Sequence, residues 1–163
     1  MNYRTTLLED WIKDFYYDIG ILHPHQIDMH DIIYRLGMSV KYMNISSRIY
    51  EDEVIIDERL SKEEQWEEFG HEFCHFKRHF GNQLIMPEEF LKLQEFQANY
   101  FSYHFCVPTF MLIQLTFPPT RGEVIKQVAQ MFKVTYKFAE KRFVMFENRI
   151  NSMIFSKKLH TYI

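Results

Sequence analysis

SKEEQWEEFGHEFCHFKRH, residues 61–79, is the stretch whose reading decides the fold. Ser61 followed by Glu64 is a capping box, and the acidic Glu63, Glu64, Glu67 and Glu68 suit the positive end of a helix. Trp66, Phe69, Phe73 and Phe76 then recur at helical spacing, so a helix is expected from about Ser61 to His79. His71 and His75 are four residues apart and project from one face, a turn apart. That spacing suits two nitrogen ligands of one zinc ion. Glu72 lies about 100° around the helix, close enough to reach a metal-bound water without binding the metal.

A third ligand must come from elsewhere in the chain. His79 is one turn past His75, but three ligands on successive turns of one straight helix cannot converge tetrahedrally. A longer pattern with a third histidine would need Gly at 78 and His at 81, where this chain has Arg78 and Gly81. Glu95 is the best candidate. It falls inside a helix expected from Pro87, with Glu88 and Glu89 in its first turn, to Cys106, before Pro108. A carboxylate beside Phe90, Leu91, Phe96, Ala98, Phe101 and Phe105 wants a reason, and metal ligation supplies one. Asn99, a turn beyond, is placed to accept the free ring N–H of His71 or His75 and fix its tautomer. The expected centre is a His₂Glu site for one Zn²⁺ per chain, its fourth position left to water.

Upstream, Leu7, Leu8, Trp11, Ile12, Phe15 and Ile19 predict a first helix ending near Gly20. His23-Pro24-His25 reads as a solvated turn rather than a metal motif. Asp28 caps a second helix through Ile32, Ile33 and Leu36, stopped by Gly37. From Ser39 the period changes to that of strands: Val40 to Met43, Ser47 to Tyr50, and Val54 to Asp57. A small antiparallel three-stranded sheet is expected. Val54, Ile55, Ile56 and Asp57 lead directly into the metal helix, so they are the expected edge strand along which an extended substrate would pair. Gly81-Asn82 should break the metal helix.

Thr116 to Gly122, with Pro118 and Pro119, marks the one plausible boundary, between 1–118 and 119–163. Beyond it, Val124, Ile125, Val128, Ala129 and Phe132 outline a short helix. A turn at Val134-Thr135 follows, then Phe138, Ala139, Arg142, Phe143 and Phe146 outline another. The pair has the outline of a helix-turn-helix. Residues 121–163 carry nine Lys/Arg against three Asp/Glu, +6 within a chain of net −3. That asymmetry allows a basic C-terminal surface to meet DNA or an acidic partner, although such helix pairs are also common core elements. The tail from Asn148 gives only a weak pattern.

Cys74 and Cys106 read as buried thiols, not a disulfide framework. Met1 to Trp11 lacks an apolar signal core and no run approaches a membrane span, so a reducing cytoplasm is expected. No feature bears on oligomeric state.

Gly70-His71-Glu72-Phe73-Cys74-His75, Glu95-Phe96-Gln97-Ala98-Asn99 and Phe105-Cys106-Val107-Pro108 together resemble the ImmA/IrrE family of metallopeptidases. The likeness covers roughly Val54 to Arg142. It implies an α+β, mainly helical zincin-like (gluzincin-type) core followed by a helix-turn-helix-like pair. It also implies a cytoplasmic zinc endopeptidase that cleaves a helix-turn-helix transcriptional repressor, releasing genes of a mobile element or prophage. By the same resemblance His71, His75 and Glu95 match the ligands and Glu72 the catalytic glutamate. A second oxyanion donor, Tyr or His, is expected but not singled out. Gly70 stands where Ala is usual, Phe73-Cys74 where Leu-Gly is common, and Ser102 where Ala is common. All are packing positions and leave the metal site intact. The competing reading is a non-catalytic, zinc-stabilised regulator that binds a repressor protein or DNA.

Overall fold

The computed structural model describes residues 3–78 and 87–161, with backbone alone from 156 onward. The expected break at Gly81-Asn82 and His79 itself lie outside the described residues. In chain order the elements are α1 Leu7–Asp18, a 3₁₀ turn Pro24–Gln26, α2 Met29–Arg35, β1 Ser39–Met43, β2 Arg48–Tyr50 and β3 Glu53–Asp57. There follow α3 Lys62–Arg78, α4 Glu88–Cys106, α5 Thr109–Leu112, α6 Arg121–Phe132 and α7 Tyr136–Thr161. The fold is α+β and mainly helical, as expected.

Local chemistry sets these boundaries. Thr6 and Glu9 form a reciprocal capping box on α1, and Gly20 leaves the helix at φ 71°. Asp28 caps α2 by accepting from the Asp31 N–H, and Gly37 ends it at φ 72°. Both glycines occupy the left-handed region that side chains disfavour. Ser61 and Glu64 cap α3 reciprocally, each side chain accepting from the other's backbone N–H at 3.2 and 2.9 Å.

The sheet differs from expectation in two ways. Its order is β1-β3-β2, with β1 parallel and β2 antiparallel to β3, so it is mixed rather than wholly antiparallel. Val54 to Asp57 are therefore the centre of the sheet and not its edge. The tight turn after Tyr50, with Glu51 at φ 53°, folds β2 back on one side of β3, and β1 takes the other. Val54-Ile55-Ile56 is an unbroken β-branched run, and Val54 and Ile56 are fully buried, which is the pattern of an inner strand. Edges are left at β1 and β2, and β2 lies against α3.

The core sits beneath α3. Trp66, Phe69, Phe73, Phe101 and Phe105 form a buried aromatic layer between α3 and α4, with Phe73 and Phe105 ring centroids 5.1 Å apart. Tyr16 of α1 adds its ring and donates its hydroxyl to the Phe105 carbonyl at 2.9 Å. Gly70 permits this approach: a Cβ there would lie 2.8 Å from the Cys106 sulfur.

α6 and α7 pack on this core. Glu67 of α3 accepts from the Thr135 N–H at 2.6 Å, in the turn between them. Buried Arg142 donates to the Val107 carbonyl at 3.1 Å and to Thr109 Oγ1 at 2.6 Å. Pro108 opens the one-turn α5, too short to show a period in the sequence. The tail is helical to Thr161, where the sequence shows only a weak pattern, because α7 continues past its buried Phe138, Phe143 and Phe146. Among the described residues no helix is long and apolar enough to cross a membrane.

Candidate metal centre

His71 and His75 leave α3 on one face, and Glu95 reaches them from the middle of α4. The two Nε2 atoms are 3.1 Å apart. Glu95 Oε2 is 3.2 Å from His71 Nε2, and Oε1 is 3.2 Å from His75 Nε2. Ligands at zinc distances of about 2.0–2.1 Å sit roughly 3.3 Å apart around a tetrahedral ion, so this triangle has the size of one face of that tetrahedron. Both imidazoles are mostly buried, whereas the Glu95 side chain is 50% exposed. Phe90 and Phe96 also point outward, so the apolar surroundings expected for Glu95 are on other faces of α4. What distinguishes Glu95 is its aim at both imidazoles.

Asn99 Oδ1 lies 3.2 Å from His71 Nδ1. With a proton on Nδ1 donated to that oxygen, the Nε2 lone pair faces the centre of the triangle. Of the two histidines offered by the sequence, His71 is the one Asn99 meets.

Glu72 is half-buried on the flank facing the sheet, with no hydrogen bond or ion pair among the described residues. Burial pushes its carboxyl up to about 7, helped by the negative charges of Glu68 and Glu95 and opposed by Arg48. The sequence marks Glu68 only as an acidic residue near the start of the helix, and gives Arg48 no place at the site. Glu68 was legible, one turn before Glu72 on the same face of α3. Arg48 carried no local signal, since only the pairing of β2 beside α3 brings it near. Cys74, next to His75, is buried and its thiol is pushed up to about 11, so it is a packing residue. His23 and His25 are exposed and stacked on each other, apart from the triad. Val54 to Asp57 lie in the sheet centre, as described above.

Residues 33–144 match the Peptidase_M78 family, described as the IrrE N-terminal-like domain. The chain belongs to this family. The matched span runs from α2 through the metal helix and into α7. The matched residues thus include His71, His75, Glu95, α6 and the first part of α7. This domain is also 44% identical over 156 residues to the phage-like element PBSX protein XkdA of Bacillus subtilis, covering 93% of this chain and 79% of that protein. It is 37% identical over 163 residues to the uncharacterized protein YqaB of the same organism, covering 96% and 94%. Membership in Peptidase_M78 makes the core a metallopeptidase-type domain, and His71, His75 and Glu95 are its candidate metal-binding group.

Proposed function

We propose that the protein is a zinc endopeptidase that cleaves a transcriptional repressor of a prophage or related mobile element. The observation that carries the peptidase part is the triangle of His71, His75 and Glu95, with Glu72 beside it and free of hydrogen bonds and ion pairs among the described residues. Two imidazoles and a carboxylate are the donor set of a hydrolytic zinc site that keeps one position open. Zinc held there would acidify a water toward about 7 and polarise a carbonyl. Glu72, with its carboxyl raised into the neutral range, takes the proton of the attacking water and hands it to the leaving amine. Asn99 holds His71 in the tautomer that presents Nε2. β2, the sheet edge beside α3, has no strand paired to its outer side among the described residues and could take an extended substrate.

The likeness to a phage-element protein supports a mobile-element setting, and a helix-turn-helix repressor of that element is the substrate of choice. Such a substrate puts the enzyme in the cytoplasm. Residues 1–118 would form the metallopeptidase domain, and 119–163 a helical segment packed on it through Thr135–Glu67 and Arg142–Val107. A half-buried Glu72 with no hydrogen bond or ion pair among the described residues favours catalysis over a purely structural zinc.

The test is co-incubation of the zinc-loaded protein with the repressor encoded by its own element, followed by mass spectrometry. Wild type should cut at one site, and Glu72→Gln should keep zinc and lose cutting. Equal cutting by the variant would sink the mechanism. Zinc-bound wild type that leaves the repressor whole but shifts its DNA binding would favour the non-catalytic regulator instead.

A further inference from the structure

We propose that Arg48 is a specificity-determining residue that receives an acidic side chain of the substrate next to the scissile bond. The proposal rests on the peptidase reading above and adds the chemistry of one subsite.

Arg48 begins β2, and among the described residues no strand pairs with the outer edge of β2. Register and alternation place Arg48 and Tyr50 on the outer face of the sheet, while half-buried Ile49 packs against the core. The carboxylates of that outer face are already taken. Glu53 pairs with Lys41 on one side, and Asp57 holds Arg59 through both of its oxygens. Directly across from Arg48 is Ile55, which offers no charge. Arg48 itself is exposed and makes only a long bond from Nε to the Ser46 carbonyl at 3.3 Å, with no ion pair among the described residues. Among the described residues it is therefore a cation without an ion pair, at an edge of the sheet that no strand covers.

That edge runs beside the metal helix α3. A substrate strand laid along β2 would place its own outward side chains a cross-strand distance of about 5 Å from Arg48 and Tyr50. Of the side chains it could bring, Asp or Glu gains a charge-assisted, two-pronged partner in the guanidinium. Lys or Arg meets a like charge, which is destabilising at a cross-strand pair. The planar fork of arginine makes the preference one of geometry as well as sign.

The experiment uses the full-length, zinc-loaded protein on a proteome-derived peptide library, with new termini read by mass spectrometry. Wild type, Arg48→Ala and Arg48→Glu are compared at equal zinc content and equal helical circular dichroism. Wild type should enrich Asp and Glu about three- to tenfold at one position within a few residues of the cut. Arg48→Ala should lose that enrichment while still cutting, and Arg48→Glu should enrich Lys and Arg at the same position. Inversion by charge reversal is something a merely structural arginine would not produce. Cutting by wild type without acidic enrichment, or enrichment unchanged in Arg48→Glu, overturns the proposal and leaves the peptidase reading standing. Zinc-bound wild type that cuts nothing in the library and nothing in the repressor overturns both.

Discussion

Asn99 Oδ1 stands 3.2 Å from Nδ1 of His71, across the gap between α4 and α3. A proton on Nδ1 donated to that oxygen would leave the Nε2 lone pair facing His75 and Glu95. Asn99→Ala should leave the fold intact, since the Asn99 side chain is exposed, but lower zinc affinity about 10- to 100-fold. Chelator competition against a fluorescent zinc indicator measures this directly. Glu95→Ala, which removes a donor outright, should lose zinc altogether on dialysis. Equal affinity in Asn99→Ala and wild type would show that the ring is held by packing alone.

Gly70 lies where α3 and the end of α4 approach closely. A Cβ on this backbone would meet Cys106 Sγ at 2.8 Å and Ser102 Cβ at 3.4 Å. The sulfur occupies the space a methyl would need. Gly70→Ala should therefore cost about 1–3 kcal/mol by overpacking, despite the roughly 1 kcal/mol that Ala gains over Gly within a helix. With Cys106→Ala as well, the space reopens and the helix preference of alanine counts. The double variant should be more stable than the sum of the two singles, as read by urea unfolding at constant zinc loading. Additive behaviour would mean that the helices shift apart instead.

These two cases show what the sequence carried and what it did not. The α3 cap, the histidine pair and Glu95 were readable because each rests on spacing within one helix or on the donor chemistry of zinc. The Asn99–His71 contact was also within reach, since Asn99 lies a turn beyond Glu95. The sheet was legible as three strands but not in its order. Strand order depends on which edge β1 chooses, and nothing in Ser39 to Met43 encodes that choice locally. An unbroken Val-Ile-Ile run was the available sign that β3 is central. Arg48 was invisible for the same reason, since its role comes from β2 standing beside α3. The length of α7 also lay beyond the pattern, because past Phe146 it is no longer set by an apolar stripe.

Arg142 is 1% exposed, and its guanidinium is held by Val107 and Thr109 while Thr109 donates in turn to Glu9 Oε1 at 2.6 Å. Tyr3 donates to the same oxygen at 2.8 Å. One buried network thus joins α7, the start of α5 and α1. Arg142 and Glu9 are linked through Thr109 Oγ1, and the Glu9 charge favours the charged guanidinium. Arg142→Met should destabilise by about 3–5 kcal/mol, and pairing it with Glu9→Gln should recover part of that loss. Urea unfolding of the two singles and the double closes the cycle. A double variant as unstable as the sum would show that the two charges are not energetically linked.

His104 gives the same region its response to acid. Burial and the nearby Arg142 charge lower its imidazole to about 4, against an ordinary value near 6.5, and Nδ1 lies 2.9 Å from the Tyr100 carbonyl. The unfolded chain binds a proton between those two values that the folded chain refuses. Stability is therefore complete above about pH 6.5 and is lost as the pH falls toward 4, by roughly 1–3 kcal/mol. Burial alone would raise the Glu9 carboxyl, but hydrogen bonds from Thr109, Thr6 and Tyr3 outweigh it and hold it below its usual range. Its contribution is present above about pH 4.5 and fades below that, a second stage of the same acid lability. His104→Gln keeps a side-chain donor near Tyr100 and removes the titration. Tm measured from pH 7 to 4 on metal-free protein should fall less steeply in this variant, even if its Tm at pH 7 is lower. His71 and His75 are present in both proteins, so the difference in slope reports His104. Parallel curves would place the acid lability elsewhere.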